Sequence, residues 1–230
     1  MSKHISPSEY AQQRRDALAS LSGLAVTASA RADALRNSQG EINADDLATV
    51  KQLTGVIKGF FPTPTPTGER MVTEAKIPHN TTVSICEPNA GAGHIADVIM
   101  RRVTHKTLTT IETSSTLCDI LRRKGYNPIQ EDFLTYDQMH DFFIMNPPFE
   151  NDQDIQHVQH AHSLTNPYGR VVSIMSEGTF YRHRGLAPKF REWLYDMGGV
   201  SEKLPEGTFK LSGTNVSTRL VIIDKWSEQQ

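Results

Sequence analysis

From residue 82 onward the chain alternates short apolar runs with longer helical segments, and this alternation restricts the fold more than any other feature. Seven strands are predicted: "TVSIC" (82–86), "TLTTIE" (107–112), "PIQ" (128–130), "FFIM" (142–145), "RVVSIM" (170–175), "GVSEKL" (199–204) and "TRLVIID" (218–224). Helices are expected near 93–102, 115–124, 152–165 and 187–197, the last ending at Gly198 and Gly199. Strands that alternate with helices form βαβ units, so the prediction is a doubly wound α/β sheet, mostly parallel. Residues 1–59 read differently. An Ala-rich stretch after Ser6 and Ser8, then "NADDLATVKQLTGVIKG" with Leu47, Val50, Leu53 and Ile57 spaced by three or four, predict two helices. The three prolines of "FFPTPTPTGERMVTEAKI" then force extended backbone until a helix resumes near Gly68. The chain therefore divides into a helical extension, 1–59, and an α/β domain, 60–230.

Composition excludes several classes. A formal charge of −2 gives no basic balance, so any contact with nucleic acid must come from local patches. Cys86 and Cys118 lie 32 residues apart without a CxxC or a histidine at ligand spacing, which predicts reduced core thiols rather than a disulfide or zinc site. "MSKHISPSEYAQQRRD" lacks an apolar signal region, and no stretch approaches the roughly 18 apolar residues of a membrane span. A soluble, cytoplasmic protein is expected.

The first chemical signal is "SICEPNAGAGHIAD", where a strand runs into Gly91, Ala92 and Gly93 and then a helix. Glycine lets the backbone turn tightly and approach a ligand, and the helix start offers free N–H groups. By itself the pattern also fits a plain tight turn. Two acids strengthen it. Glu112 ends the second predicted strand 19 residues beyond Gly93, where a carboxylate accepts hydrogen bonds from ribose hydroxyls. Asp132 follows the third, where a carboxylate can accept from an adenine amino group. An adenosine-containing ligand follows, and NAD and S-adenosylmethionine both qualify.

"IMNPPFEND" (144–152) separates them. Pro147 and Pro148 have no N–H, fix their own φ and bias the preceding residue toward extended backbone, which makes a stiff corner with its carbonyls free. The exocyclic amine of a base is a poor nucleophile because its lone pair is delocalised into the ring. Accepting its hydrogens on the Asn146 amide oxygen and the Pro147 carbonyl draws the nitrogen toward tetrahedral geometry and frees that pair. Phe149 offers a face on which an extruded base can stack.

On these motifs the chain resembles the S-adenosylmethionine-dependent DNA methyltransferases that act on exocyclic amines, particularly the N6-adenine class. "FFPTPTPTGERMV" resembles the family's Phe-x-Thr-Pro segment, which implies that Phe61, Thr63 and Pro64 line the methionine half of the cofactor. "CEPNAGAG" resembles its cofactor loop, with Glu87, Pro88, Ala90, Gly91 and Gly93 in place and Asn89 between them. Glu112, and Asp132 with Phe133, match the ribose and adenine positions, and Asn146, Pro147, Pro148 and Phe149 match the catalytic motif. "LPEGTFKLSGTNVSTRLVIID" resembles the antiparallel closing hairpin of a Rossmann-like, seven-stranded methyltransferase sheet. The order of motifs is the family's gamma arrangement, and asparagine at the head of the motif favours adenine over cytosine. Methyl transfer to adenine N6 in DNA, in a bacterial or phage-infected cell and without a metal, is what the resemblance implies. Guanine-N2 methylation of RNA and methylation of a protein glutamine amide use the same amine chemistry and stay open. An NAD-dependent oxidoreductase would leave Asn146 to Phe149 idle.

The gamma arrangement commonly carries a target-recognition domain after the last strand, whereas the sequence given ends six residues past Asp224. Relaxed specificity, a homodimer or a specificity partner is therefore expected. Tyr181, Arg182, Arg184 and Lys189 (with Arg191) form a basic patch suited to DNA phosphates. His157, His160 and His162 lack an acid or cysteine to complete a metal site and are expected on the helix surface or in the core. "LRRKG" (121–125) is expected to be a solvated face.

Overall fold

The computed structural model describes residue 57 and residues 60–226. The two helices expected within 1–59 lie outside the described residues. Six strands form one sheet: β1 (Val83–Glu87), β2 (Lys106–Thr110), β3 (His140–Met145), β4 (Thr165–Ser176), β5 (Val200–Lys203) and β6 (Thr218–Asp224), in the order β2-β1-β3-β4-β6-β5. Four strands, β2, β1, β3 and β4, run parallel; β6 is antiparallel to both β4 and β5. Among the described residues, five α-helices accompany them: α1 (Thr65–Glu74), α2 (His94–Arg102), α3 (Ser115–Arg123), α4 (Gln153–Ser163) and α5 (Ala187–Asp196).

Side-chain alternation along the strands builds a core on each face of the sheet. Ile85, Phe142, Ile144, Val172, Ile174 and Leu220 point to one side, against Met71 and Val72 of α1 and Ile95, Val98 and Ile99 of α2. Their neighbours Cys86, Phe143, Met145, Val171, Met175, Val221 and Ile223 point to the other, against Ile155 and Val158 of α4 and Phe190 and Leu194 of α5. α3 packs separately, with Leu117 and Ile120 against Phe60 and Ala92. Both cysteines are buried free thiols.

The expectation of seven strands is corrected to six. "PIQ" contributes only a one-residue parallel bridge, in which Ile129 donates its N–H to the Thr110 carbonyl (2.9 Å) and accepts from the Glu112 N–H (3.1 Å). Pro128 has no N–H to extend the pairing, and among the described residues no strand lies beyond it at this edge of the sheet. Among the described residues no helix is long and apolar enough to cross a membrane.

In this order the chain leaves β1 in one direction to reach β2 and returns on the other side as β3. The carboxyl ends of β1 and β3 thus border the crevice at a topological switch point, where open α/β sheets bind ligands.

Candidate functional site

Glu87 ends β1, and residues 88–93 cross from it to α2. Gly91 (φ +55°) and Gly93 (φ +82°) both adopt the left-handed conformation. A Cβ on Gly91 would lie 2.9 Å from the Phe60 ring, and one on Gly93 the same distance from Leu121. Both glycines are therefore required by backbone shape and by space. The loop is held from the neighbouring strand, since Ala90 donates to the Ile111 carbonyl (2.9 Å) and Gly91 to Oε2 of Glu112 (2.8 Å). Oε1 of Glu112 accepts from the Ser114 N–H (2.8 Å) and the Thr113 hydroxyl (3.3 Å), so Oε2 is the oxygen that keeps a lone pair for a further donor.

Behind the loop, Lys124 donates to the Ala92 carbonyl (2.8 Å) and pairs with Asp97, which also accepts from the Tyr126 hydroxyl (2.7 Å). The expectation that "LRRKG" is a solvated face is corrected here. Arg122 and Arg123 are exposed, but the Lys124 side chain is only 8% exposed and braces the glycine loop. Lys124 lies just past the end of α3, where the backbone turns at Gly125 and the side chain reaches back under the loop.

Glu87 is buried, and its Oε2 has no partner among the described residues. Burial, reinforced by the negative charge of Asp97, pushes its carboxyl well above the usual carboxylate range. An unpaired buried oxygen at the edge of a cleft suits a ligand that brings a donor or a positive charge. Opposite, Asp132 caps the short turn Phe133–Thr135 by accepting from the Leu134 N–H (3.0 Å). The buried Phe133 ring lies edge-on to His160, centroids 4.9 Å apart.

Asn146 follows β3 directly. Its Nδ2 donates to the Phe61 carbonyl (3.2 Å) and to the Thr63 hydroxyl (3.1 Å). A carbonyl can only accept, so this pairing assigns the amide orientation and leaves Oδ1 as the atom open to an incoming donor. Thr63 is buried between the proline segment and the sheet, so the Phe-x-Thr-Pro segment and the Asn-Pro-Pro-Phe motif form one unit.

Of the residues singled out from sequence, Phe61, Thr63, Glu87, Pro88, Asn89, Ala90, Gly91, Glu112, Asp132, Phe133, Asn146 and Pro148 line this single cleft. Four others do not line it. Pro64 and Gly93 cap α1 and α2, Pro147 is buried, and Phe149 is half-buried against the core on the α1–α2 side. His94, Gln153 and His157 also line the cleft. His157 bonds the Asn89 side-chain amide (3.1 Å), and burial pushes its pKa down to about 4, so the imidazole is neutral at pH 7. Burial, with the charge of Lys124, likewise holds His94 at about 4. His160 bonds the Tyr136 carbonyl (2.8 Å), and His162 packs edge-on against Trp193.

The basic patch divides. Tyr181, Arg184 and Lys189 are exposed, whereas Arg182 pairs with Asp152 (2.6 Å) and Arg191 donates to the carbonyls of Thr179 and Arg182. Asp152 and Asn151 both hold positive φ (+59° and +54°) directly after the Asn-Pro-Pro-Phe motif. Backbone strain of this kind collects at functional sites.

Comparison with known proteins places this geometry in context. No protein-family model matches the chain, and no curated protein matches it. Solved structures do. A Listeria monocytogenes protein described as a class I S-adenosylmethionine-dependent methyltransferase is 16% identical, with a TM-score of 0.57 over 73% of this chain and 62% of that one. The M protein of the type I restriction enzyme EcoKI is 15% identical, with a TM-score of 0.61 over 74% of this chain and 45% of that one. A Pyrococcus horikoshii protein described as an RNA methyltransferase is 16% identical, with a TM-score of 0.54 over 73% of this chain and 87% of that one. The chain thus spans less than two thirds of the first two. Its fold, a mixed six-stranded sheet with the cleft at the carboxyl ends of β1 and β3, is that of the class I S-adenosylmethionine-dependent methyltransferases.

Proposed function

We propose that this protein transfers a methyl group from S-adenosylmethionine to the exocyclic N6 amine of adenine in DNA. The observation that carries the proposal is the Asn146 amide, whose NH2 is tied to Phe61 and Thr63 while its oxygen stays open beside the cleft.

The residues present fit the cofactor. The open carboxyl of Glu87 suits its ammonium group, the glycine loop gives close approach to backbone, and Glu112 retains an acceptor position on Oε2 for a ribose hydroxyl. Asp132 and Phe133 offer an acceptor and an apolar wall for its adenine, and Phe61 and Thr63 border its methionine half. When bound, the cofactor supplies an activated methyl group on a sulfonium. Asn146 Oδ1 and the Pro147 carbonyl accept the two hydrogens of the target amine and orient its lone pair, and Phe149 supports the extruded base. Asn146 needs no charge for this, because the amine sheds its proton only once the nitrogen has become cationic. These hydrogen bonds strengthen as positive charge develops, so they lower the barrier rather than the ground state. Tyr181, Arg184 and Lys189 are exposed to meet phosphates.

The test incubates the protein with methyl-labelled S-adenosylmethionine and, separately, duplex DNA, single-stranded DNA, ribosomal RNA or protein, then digests the product. The expected product is N6-methyladenine in DNA. Label confined to N2-methylguanine in RNA or to a glutamine amide refutes the DNA assignment while keeping the amine chemistry. Asn146→Ala should bind S-adenosylhomocysteine as the wild type does and transfer no methyl; retained transfer refutes the role of Asn146.

A further inference from the structure

The connection between β5 and β6 carries a feature that neither the core nor the cofactor cleft uses. Leu204, Phe209, Ser212 and Thr218 are buried, yet Leu211 is fully exposed, at 101%. A lone exposed leucine is ordinary on a protein surface. This one is displayed by a built turn. Ser212 and Thr214 donate their N–H groups to the Phe209 carbonyl (2.9 and 3.3 Å), and Gly213 donates to that of Lys210 (3.2 Å). The buried Phe209 and Ser212 pin the turn on both sides and leave Leu211 at its apex.

The turn is joined to the candidate site. Ser212 donates its hydroxyl to the Pro62 carbonyl (2.6 Å), and Pro62 sits between Phe61 and Thr63, the two residues that hold the Asn146 amide. Phe209 belongs to the same apolar cluster on which Phe149 rests. The surface around the apex suits a polyanion. Lys210 is exposed, and no acidic residue occurs between Glu206 and Asp224. Val216, 44% exposed, continues the apolar tip, and the neighbouring loop that bears Tyr181 is tied to it by the Glu177 N–H donating to the Ser217 carbonyl (2.9 Å).

We propose that Leu211 is the wedge by which this protein opens duplex DNA, filling the space in the base stack that the target adenine vacates. The inference rests on the methyltransferase function proposed above. A base inside a duplex cannot reach Asn146, and unstacking it costs free energy that an inserted apolar side chain offsets. A leucine displayed by a turn that is fastened to the segment holding Asn146 supplies that side chain. Single-stranded DNA has no stack to open and needs no wedge.

The experiment compares methyl transfer to duplex and to single-stranded DNA of the same sequence, using Leu211→Ser and Leu211→Met. Because Leu211 makes no buried contact, both variants fold. Leu211→Ser should lose about tenfold or more in duplex transfer while staying within about twofold of the wild type on single strands, and Leu211→Met should retain duplex transfer. Unchanged duplex transfer by Leu211→Ser, an equal loss on both substrates, or a wild type that modifies only single strands overturns the wedge. A wild type that modifies no DNA refutes the DNA assignment proposed above, which is a distinct result.

Discussion

Replacing Lys124 by methionine keeps most of the side-chain volume and removes the charge, which isolates its electrostatic brace. Three interactions are lost, the hydrogen bond to the Ala92 carbonyl, the pair with Asp97 and the contact of Nζ with the Tyr126 ring (5.8 Å to its centroid). Breaking a fully buried pair costs about 3–5 kcal/mol, whereas an exposed pair is worth about 0–1 kcal/mol. Lys124 is at the buried end of that range, 8% exposed, but Asp97 is 26% exposed and keeps the Tyr126 hydroxyl, so water and one donor remain to it. The expected destabilisation is therefore intermediate, about 2–3 kcal/mol, a large part of the roughly 5–15 kcal/mol that holds a domain folded. Arg122, two residues earlier, pairs with Asp119 across an exposed helix face and is the control; Arg122→Met should cost about 0.5 kcal/mol or less. Urea denaturation reads both values. Calorimetric titration with S-adenosylhomocysteine should show Lys124→Met weakened by about tenfold or more, because the freed carbonyl lies between Gly91 and Gly93 in the loop that meets the ligand. Adding Asp97→Asn should recover part of the stability by removing the stranded charge. If Lys124→Met and Arg122→Met prove equally mild, the brace does not exist in solution and the loop is held by Glu112 and the Ile111 carbonyl.

Three further outcomes are expected. Burial holds His140 and His157 at about 4, below the usual 6.5, so the unfolded chain takes up protons before the folded one does. The stability they contribute is complete above pH 6.5 and falls as pH drops toward 4, by at most about 3 kcal/mol for each. The raised Glu87 carboxyl acts with the opposite sign, so the check is the difference in urea midpoint between the wild type and His157→Gln across that window; parallel curves refute it. Gly91→Ala places a methyl at φ +55° and 2.9 Å from the Phe60 ring, and should cost about 1–2 kcal/mol in folding and abolish measurable cofactor binding, which calorimetry would detect. Thr63→Val removes one of the two acceptors that hold the Asn146 amide, so kcat should fall about fivefold, matching the loss of roughly 1 kcal/mol, with KM for the cofactor nearly unchanged. An unaltered kcat would show that Phe61 alone orients the amide.

The sheet was legible because its signals are local and repeated. Phe142 to Met145 are four apolar residues in a row, and each inner strand of a doubly wound sheet needs that continuity to face two helix layers. "PIQ" misled because three residues cannot show whether a proline leaves a ladder intact. Much of the site was legible as well, because Gly91, Gly93 and Asn146 belong to residue types required by shape or by hydrogen-bonding capacity. Lys124 was not, since a lysine beside Arg122 and Arg123 gives no local sign of where its side chain goes; its partner Asp97 lies 27 residues earlier in the chain. His157 did leave a trace. Buried residues on α4 fall at 154, 155, 157, 158, 161 and 162, so helical spacing places His157 on the inward face together with Ile155, Val158 and Ala161. The expectation of a helix-surface or core histidine did not use that spacing to choose between the two.

The orientation of the Asn146 amide shows why a motif needs its surroundings. Two prolines stiffen the backbone after Asn146 but have no N–H with which to discriminate the two ends of an amide. That choice is made 83 residues earlier, at Thr63, and at the Phe61 carbonyl, which can only accept. Pro62 cannot donate, so its carbonyl is left to receive Ser212, 150 residues later, and the turn that displays Leu211 is fastened to the same short segment. One stretch of extended, proline-rich backbone therefore aims the acceptor that would receive the target amine and anchors the turn that would open the duplex. Residues 61–63 owe their extended shape to the prolines that exclude helix there, and the helix that follows, α1, starts only where Pro64 can cap it.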